Sequence, residues 1–279
     1  MLPPIARRFV AGESADAALE HAEELNERDV GVILNLLGEH YDDRQSAEAD
    51  AAAYRDLADA IADAGLDACI SVKPSQLGLD VGTDLFEALV TDLVGHAADR
   101  DVFVWIDMED HTTTDATLSC FESLATTHDG GVGVCVQANL TRTRSDVERL
   151  ADVPGKVRFV KGAYDEPDDV AYQGKARVNE AYRDILAYAF EQYDGGIAIG
   201  SHDPEMISYA RERYDEYGTD FEIQMLMGVR EDAQTDLAEE GYEVWQYAPY
   251  GRKWKSYFYR RMRERKENVT FALRAIIGR

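Results

Sequence analysis

Eight short apolar stretches recur along the 279-residue chain, and each is followed by a segment that has the pattern of an amphipathic helix. Most are rich in Val, Ile and Phe with little polar alternation, as strands buried on both faces of a parallel sheet require. They are residues 30–37, 68–73, 102–108, 133–138, 157–161, 196–201, 221–226 and 242–247, and the last two fit least well. Alternating strands and helices predict right-handed crossovers, and eight repeats predict closure into a (β/α)₈ barrel.

The length agrees with one barrel domain spanning residues 1–279, because such a barrel typically needs about 250 residues. No Gly-, Pro- or Ser-rich linker divides the chain. Residues 1–28 precede the first strand and predict a helical arm that Ser14 caps. The alanine-rich segments 84–98 and 176–193 are predicted to be two of the crossover helices.

The charge balance is strongly acidic, with 29 Lys and Arg against 54 Asp and Glu and a formal net charge of −25. Such a surface repels phosphodiester backbones, so nucleic acid is excluded as a partner. The acidic residues are spread over predicted helix faces, for example in 20–27 and 48–63. Dispersed acidity of this kind indicates a halophilic protein, since salt screens the repulsion; an ordinary acidic protein is the alternative.

The three cysteines, Cys69, Cys120 and Cys135, lie in apolar or helical contexts without a CxxC motif. We therefore expect buried free thiols in a reducing compartment. The segment 1–8 lacks the apolar core of a signal peptide, and no apolar run approaches the length of a membrane span. These features predict a cytoplasmic protein whose contact with a membrane, if it has one, is peripheral.

Polar side chains stand at or just after the carboxyl ends of most predicted strands. They are Asn35, Glu39, Lys73, Asp107, Glu109, Gln137, Arg158, Lys161, Ser201, His202, Gln224 and Tyr247. A single polar residue in such a place is routinely structural. A whole set predicts a functional site, because active sites of these barrels lie at the carboxyl ends of the strands.

The segment after the eighth strand places Tyr257, Arg260, Arg261 and Glu264 on one helical face. Two neighbouring guanidinium groups repel each other unless an anion lies between them, and their geometry matches a carboxylate. A substrate carboxylate is therefore one interpretation. The other is a solvated basic face near a helix end, where arginine also suits the helix dipole.

The fifth strand runs into Lys161-Gly162-Ala163. The glycine allows a phosphate or a ribityl chain to approach the backbone closely, and Lys161 adds positive charge. The glycine could equally serve an ordinary turn. Lys161 could also form a Schiff base, as lysines at late strand ends of barrel aldolases do.

A metal site is the weakest of the hypotheses. Carboxylates and imidazoles that could imitate one are scattered over Glu39, His40, Asp107, His111 and His202, with no HxH or HExxH spacing. The sequence therefore predicts no metal centre, and a hydrogen-bonded structural role is the alternative for His202.

Nine motifs, in order over residues 30 to 265, resemble the proline dehydrogenase family. They are Leu36-Leu37-Gly38-Glu39, Ser71-Val72-Lys73, Ile106-Asp107-Met108-Glu109, Val136-Gln137-Ala138, Val160-Lys161-Gly162-Ala163-Tyr164, Ser201-His202-Asp203, Gln224-Met225-Leu226, Tyr247-Ala248-Pro249-Tyr250-Gly251 and residues 257–264. The resemblance implies a distorted (β/α)₈ TIM barrel whose last helix lies over the barrel mouth. The departures from the family pattern are Ser201 where Thr is usual, Asn35 where an acidic residue is frequent, and Val229 where Met often stands.

The resemblance also implies a role for each matching residue. Asp107 and Arg158 would be the catalytic pair, and Glu39 would form a gate with Arg260. The residues implied to bind the substrate are Lys73, Tyr164, Leu226, Tyr247, Tyr257, Arg260 and Arg261. Those implied to bind FAD are Met108, Gln137, Lys161, Gly162, Ala163, Ser201, His202, Gln224 and Glu264.

The implied activity is the FAD-dependent oxidation of L-proline to 1-pyrroline-5-carboxylate. Hydride would pass to flavin N5, and the electrons would go on to a quinone or a similar acceptor. The sequence shows no second domain that would oxidise the product further, so we expect a monofunctional enzyme. Two alternatives remain from the residues: a lyase of the aldolase type using Lys161, and a non-catalytic barrel that binds a small carboxylate.

Overall fold

The computed structural model describes residue 3, residues 6–255 and residues 257–258 of the chain. Its eight strands are all parallel and form a closed barrel in chain order, with the first strand paired to both the second and the last. They are β1 (Gly31–Leu36), β2 (Ala68–Val72), β3 (Val104–Ile106), β4 (Val132–Gln137), β5 (Lys156–Val160), β6 (Ile197–Gly200), β7 (Phe221–Leu226) and β8 (Glu243–Tyr250). The predicted (β/α)₈ barrel is confirmed, and every predicted strand is present.

Along the chain, helices alternate with the strands, and they lie on the outside of the barrel. They are α1 (Ala15–Asn26), α2 (Arg44–Ala64), α3 (Thr83–Ala98), α4 (Thr114–Thr127), α5 (Thr143–Leu150), α6 (Lys175–Gln192), α7 (Pro204–Tyr217) and α8 (Glu231–Glu239), with short 3₁₀ turns at Ala6–Arg8 and His111–Thr113. Helix α1 precedes the barrel as predicted, and the Ser14 hydroxyl accepts a hydrogen bond from the backbone N–H of Ala17 at its first turn.

Helix α2 shows how the sequence defines its own boundaries. The Asp43 carboxylate accepts a hydrogen bond from the backbone N–H of Ser46 at 2.8 Å and so caps the start of the helix. Gly65 ends it in the left-handed conformation, with φ of 62°, where a side chain would be strained. Between these caps, Ala47, Ala51 and Tyr54 begin the buried face, which packs the helix against the barrel.

The interior of the barrel is filled near its amino-terminal end by indole rings. Trp105 and Trp245 point inward, and the strand beside each carries a glycine in register, Gly133 and Gly31. A Cβ atom at Gly133 would lie 2.5 Å from the Trp105 ring, and one at Gly31 would lie 2.6 Å from the Trp245 ring. The glycines therefore make room for the indoles. Because the indoles fill the amino-terminal half, open space remains in the carboxyl-terminal half of the barrel.

Three free cysteines, Cys69, Cys120 and Cys135, are buried, as predicted. Cys69 belongs to the apolar cluster inside the barrel, and Cys120 lies in the layer between the helices and the sheet.

The segment after β8 returns to the barrel mouth. Trp254 and Phe258 pack, together with the buried Tyr257, on Phe9 and Val10 from the segment before α1. Arg260, Arg261 and Glu264 lie outside the described residues.

Candidate functional site

A cavity of about 790 Å³ opens at the carboxyl ends of the strands. Fourteen of the residues to which the resemblance gives a role line it, namely Lys73, Asp107, Met108, Arg158, Lys161, Gly162, Ala163, Tyr164, Ser201, His202, Gln224, Leu226, Tyr247 and Tyr257. Asn35, one of the strand-end polar residues, lines it as well. These residues come from seven different parts of the chain, and the barrel brings them together. A set of strand-end polar residues therefore shares one cavity, as the sequence predicts.

The Asp107 carboxylate is the centre of the polar network in this cavity. Its Oδ1 atom accepts hydrogen bonds from Arg158 Nη1 at 2.6 Å and from the Ser71 hydroxyl at 2.7 Å. Its Oδ2 atom accepts a hydrogen bond from the Tyr247 hydroxyl at 2.7 Å. Three donors on three different strands thus hold the carboxylate in one orientation.

Arg158 is 5% exposed and lies with its guanidinium 4.5 Å from the centre of the Trp105 ring. Burial lowers the pKa of Arg158 and the Asp107 charge raises it, and the attraction to Asp107 prevails, so that the pKa lies above its ordinary value. Its Nε and Nη2 atoms are buried and have no hydrogen-bond partner among the residues that the structure describes. Since an unsatisfied buried donor costs about 1–3 kcal/mol, these two atoms indicate a ligand that brings acceptors.

The sequence predicts that Tyr247 lines the cavity, and in the structure its hydroxyl also contacts Asp107. Burial, and then the neighbouring Asp107 charge, raise the pKa of its phenol well above the ordinary value. The hydroxyl therefore stays protonated and serves as a donor to Asp107. The ring also lies under the Arg158 guanidinium, at 5.6 Å from its centre.

Lys73 is a nearly buried cation at the wall of the cavity, 8% exposed. Its Nζ atom lies 3.8 Å from the Oε2 atom of Glu39. Glu39 itself does not line the cavity. The predicted pairing of Glu39 with Arg260 involves a residue outside the described part of the chain.

A second carboxylate, Glu109, holds the loops around Lys73 together. It accepts hydrogen bonds from the backbone N–H of Ser75 at 2.6 Å and from the Ser75 hydroxyl at 2.7 Å. That hydroxyl accepts a hydrogen bond from the backbone N–H of His40, so three loops meet at one point. Burial raises the pKa of Glu109, although these hydrogen bonds oppose it. Gln137 belongs to this framework, since its Nε2 donates to the Glu109 carbonyl and its side chain does not line the cavity.

The turn after β5 needs its glycine for close packing. Gly162 has a φ of 107°, and a Cβ atom there would lie 2.0 Å from the Oδ1 atom of Asn139. Beside it, Lys161 Nζ donates to Asp203 Oδ2 at 2.6 Å. Burial raises the pKa of Asp203, but the Lys161 hydrogen bond and other donors lower it below its ordinary value. Lys161 is therefore the cation of an ion pair, whereas a Schiff-base lysine must present a neutral amine.

The end of β6 and the start of α7 form one further wall. The Ser201 hydroxyl accepts from the backbone N–H of Asp203 at 3.2 Å, and Asp203 caps α7. His202 Nε2 faces the backbone N–H of Leu226 at 3.5 Å, and its carbonyl accepts from Arg230 at 2.7 Å. These contacts hold the turn in place.

The imidazoles considered as metal ligands each have another contact. His40 pairs with Asp80 at 2.9 Å, and His111 pairs with Glu166 at 2.5 Å. Among the residues that the structure describes, no group of three His, Cys, Asp or Glu side chains is arranged to hold a metal ion.

Several cavity residues were not expected from the sequence, among them Cys135, Asp165, Lys175 and Asp203. Ser71 and Trp105, which hold Asp107 and Arg158, were missed as well. Both could have been found from strand alternation, because Ser71 precedes Lys73 by two residues and Trp105 precedes Asp107 by two.

No helix within the described ranges is long and apolar enough to cross a membrane.

Comparison with known proteins agrees with this geometry. The sequence model of the family described as "Proline dehydrogenase" matches residues 18–274. The chain is 35% identical to "Proline dehydrogenase" of Deinococcus radiodurans over 282 residues, and 32% identical to "Proline dehydrogenase 1" of Bacillus subtilis (strain 168) over 276 residues. Each alignment covers 98% of this chain and 90% of the relative.

Among solved structures, proline utilization A (PutA) from Bdellovibrio bacteriovorus, inactivated by N-propargylglycine, has a TM-score of 0.85 at 23% identity. The alignment covers 92% of this chain and 32% of that protein, so this chain spans about a third of it. PutA from Corynebacterium freiburgense has a TM-score of 0.80 at 20% identity over 93% of this chain. These structures show the same fold. By the family match and the identity to its relatives, the chain belongs to the proline dehydrogenase family.

Proposed function

We propose that this protein is an FAD-dependent L-proline dehydrogenase that forms 1-pyrroline-5-carboxylate. Family membership supports the substrate. The observation that carries the proposal is Arg158, a buried cation held by Asp107 at the cavity, with two donors that no described residue accepts from. A bound molecule with acceptors would satisfy these donors, which are placed where the carboxyl ends of the strands meet.

The residues present fit FAD. The cavity is large enough for the flavin part of a dinucleotide, and it offers buried donors on Arg158 and a buried acceptor on Gln224. The residues that would hold FAD are Met108, Lys161, Gly162, Ala163, Ser201, His202 and Gln224, with Glu264 from the part of the chain outside the described residues. Gln137, to which the resemblance gives the same role, does not line the cavity and supports the Glu109 loop instead. When bound, FAD supplies the two-electron acceptor for the hydride that leaves the ring carbon beside the proline nitrogen.

The protein's own share of the reaction is to bind and orient proline. Lys73 offers a buried positive charge to the carboxylate, and Arg260 and Arg261 are proposed to complete that clamp. The aromatic and aliphatic side chains that line the cavity exclude water from the pyrrolidine ring; they are Tyr164, Leu226, Tyr247 and Tyr257. Glu39 would act as the gate through its contact with the clamp.

Asp107 and Arg158 are proposed as the catalytic pair. Asp107 holds Arg158 in place through a charge-assisted hydrogen bond, and the Ser71 and Tyr247 hydroxyls fix Asp107 in turn. Arg158 therefore keeps a positive charge at the reacting end of the cavity without needing to move during the reaction. The amine proton of proline leaves to solvent or buffer as the hydride is removed.

The proposal extends to the electron acceptor, a quinone or a similar molecule. A cytoplasmic enzyme would reach a membrane quinone by peripheral contact. The lyase alternative is disfavoured by the ion pair of Lys161 with Asp203.

The purified protein should be yellow, with the absorption spectrum of a flavin, and proline should reduce an artificial dye only when the enzyme is present. A colourless protein that borohydride traps covalently with a carbonyl substrate would instead support the lyase. A colourless protein that binds proline without turnover would support the carboxylate-binding barrel.

Tyr247→Phe should lower kcat for proline by about 10- to 100-fold, because it removes one donor from a partly buried carboxylate, a change of about 1.5–3 kcal/mol. The ring remains, so KM should change little. Steady-state kinetics test this, with Tyr209→Phe on α7 as a control outside the cavity. A wild-type kcat in Tyr247→Phe would remove the hydroxyl from the catalytic network.

Tyr247→Ser should shift substrate choice. We expect the wild type to prefer proline over 4-hydroxyproline by about 10- to 200-fold, because the phenol ring leaves the additional hydroxyl without space or a partner. Tyr247→Ser should weaken proline turnover and bring the two kcat/KM values closer. A ratio that the substitution leaves unchanged would contradict the placement of this ring beside the substrate.

A further inference from the structure

Below the cavity, three polar side chains form a column inside the barrel. Glu222 and Gln224 project from the same face of β7, and Lys156 stands at the start of β5. Glu222 and Gln224 are both buried, and Gln224 reaches the cavity wall. The catalytic network of Asp107 and Arg158 makes no hydrogen bond to this column in the described residues.

Hydrogen bonding determines which way the Gln224 amide faces. Its Nε2 atom donates to one oxygen of Glu222, and Lys156 Nζ donates to the other. A carboxylate can only accept, so the amide nitrogen must face Glu222 and the carbonyl oxygen must face away. That oxygen, Oε1, is buried and has no hydrogen-bond partner within the described part of the chain.

The space beside Gln224 belongs to the cavity. In the barrel register Gln224 lies next to Gly200, which has no side chain and itself lines the cavity. The buried acceptor of Gln224 therefore adjoins a volume that a ligand can fill. An unpaired buried carbonyl is costly, and a donor on the ligand would remove that cost.

Lys156 opposes the effect of burial on the pKa of Glu222. Burial raises the pKa of Glu222, and the contact with Lys156 and the Gln224 hydrogen bond oppose this. Burial lowers the pKa of Lys156, but Glu222 and then Glu243, whose Oε1 lies 3.7 Å away, raise it above its ordinary value. Lys156 Nζ and Gln224 Nε2 therefore both donate to the Glu222 carboxylate, and this pairing is what commits the Gln224 amide nitrogen.

We propose that the Lys156–Glu222 ion pair is a positioning device that turns Gln224 into a hydrogen-bond acceptor for bound FAD. This inference rests on the proposed function. The ligand group that it recognises is a donor, either the ring N–H of the flavin or a hydroxyl of its ribityl chain. Lys156 and Glu222 act only through Gln224 and touch no ligand themselves.

The test is the dissociation constant of FAD, measured by flavin fluorescence on protein from which FAD has been removed. Gln224→Met keeps the size of the side chain but loses the acceptor, and we expect its Kd to rise by about tenfold. Glu222→Gln should cause a similar rise, because its amide can pair with either end of Gln224. Lys156→Met should also raise the Kd of FAD, although this substitution leaves the sequence of β7 unchanged.

The decisive comparison is the double variant Glu222→Gln with Gln224→Met. Once the amide is gone there is nothing to orient, so Glu222→Gln should add no further loss. Glu243→Gln is the matched control, because Glu243 lies near Lys156 but its hydrogen bond goes to Trp245 and not to Gln224. The Kd of FAD for this variant should equal that of the wild type. Melting temperatures of all variants separate loss of stability from loss of affinity.

Two outcomes would overturn the inference: Kd values for Gln224→Met like that of the wild type, or effects of Glu222→Gln and Gln224→Met that add. A wild type that binds no FAD would instead overturn the proposed function, and the inference with it. FAD methylated at the ring nitrogen N3 separates the two donors. If the ring N–H is the donor, methylation and Gln224→Met should not add, and if a ribityl hydroxyl is the donor, they should.

Discussion

Replacing Arg158 with methionine should lower kcat for proline by about 100- to 1000-fold, with a smaller change in KM. The guanidinium is buried, held by Asp107 at 2.6 Å and stacked on Trp105, so methionine replaces a fixed positive charge with an uncharged side chain. In the role proposed for Arg158, its charge would stabilise the transition state rather than the bound substrate. Steady-state kinetics on the FAD-loaded variant measure the effect.

The control for this variant is Arg142→Met. Arg142 also binds carboxylates, those of Asp115 and Asp146, but it lies at the start of α5, away from the cavity. It should lower the melting temperature without changing kcat. Asp107→Asn combined with Arg158→Met should cost much less than the product of the single effects, because the two residues act as a unit. An Arg158→Met enzyme with kcat within about twofold of the wild type would exclude Arg158 from catalysis.

The melting temperature should rise by about 10 °C or more between dilute buffer and molar KCl. A net charge of −25 makes the folded chain repel itself, and the Debye length falls from about 30 Å at 0.01 M to about 3 Å at 1 M salt. A gain of about 3–4 kcal/mol would suffice, since each kcal/mol is worth about 2–4 °C in a chain of this size.

Circular dichroism across a KCl series measures this shift. Screening should produce most of the rise below about 0.5 M, where the Debye length changes most. Sucrose serves as an uncharged control, because it stabilises through exclusion from the surface and leaves charge repulsion in place. Equal melting temperatures in dilute buffer and molar KCl would contradict the halophilic interpretation.

The fold could be predicted because its strands are buried on both faces. Their apolar runs are visible without knowledge of any partner, and even the weakest two, 221–226 and 242–247, are strands in the structure. The exact ends of the strands were harder to predict from the sequence. β8 continues to Tyr250, three residues beyond the predicted end, because it pairs with β1 as far as Leu36. Such pairing depends on the register between distant strands, which no local pattern contains.

The site was predictable to the extent that strand ends meet at one face of a barrel. That rule brings Lys73, Asp107 and Arg158 to a common cavity. It does not tell which strand-end residue faces inward and which supports a loop. Glu109 and Gln137 therefore look like cavity residues in the sequence, whereas the structure shows that they hold the loops around Lys73 together. The hydrogen bonds from Ser71 and Tyr247 to Asp107 likewise depend on the barrel register.

The reactivity of the buried thiols can report local opening of the structure. Thiol reagents attack the thiolate, and burial raises the pKa of Cys135 to about 11 and that of Cys120 to about 12, while the pKa of Cys69 is raised as well. Each cysteine therefore reacts only when its surroundings open. Cys135 lines the cavity, so we expect a bound ligand to slow its alkylation. Cys69 and Cys120 should become reactive only when the barrel or its helical layer unfolds.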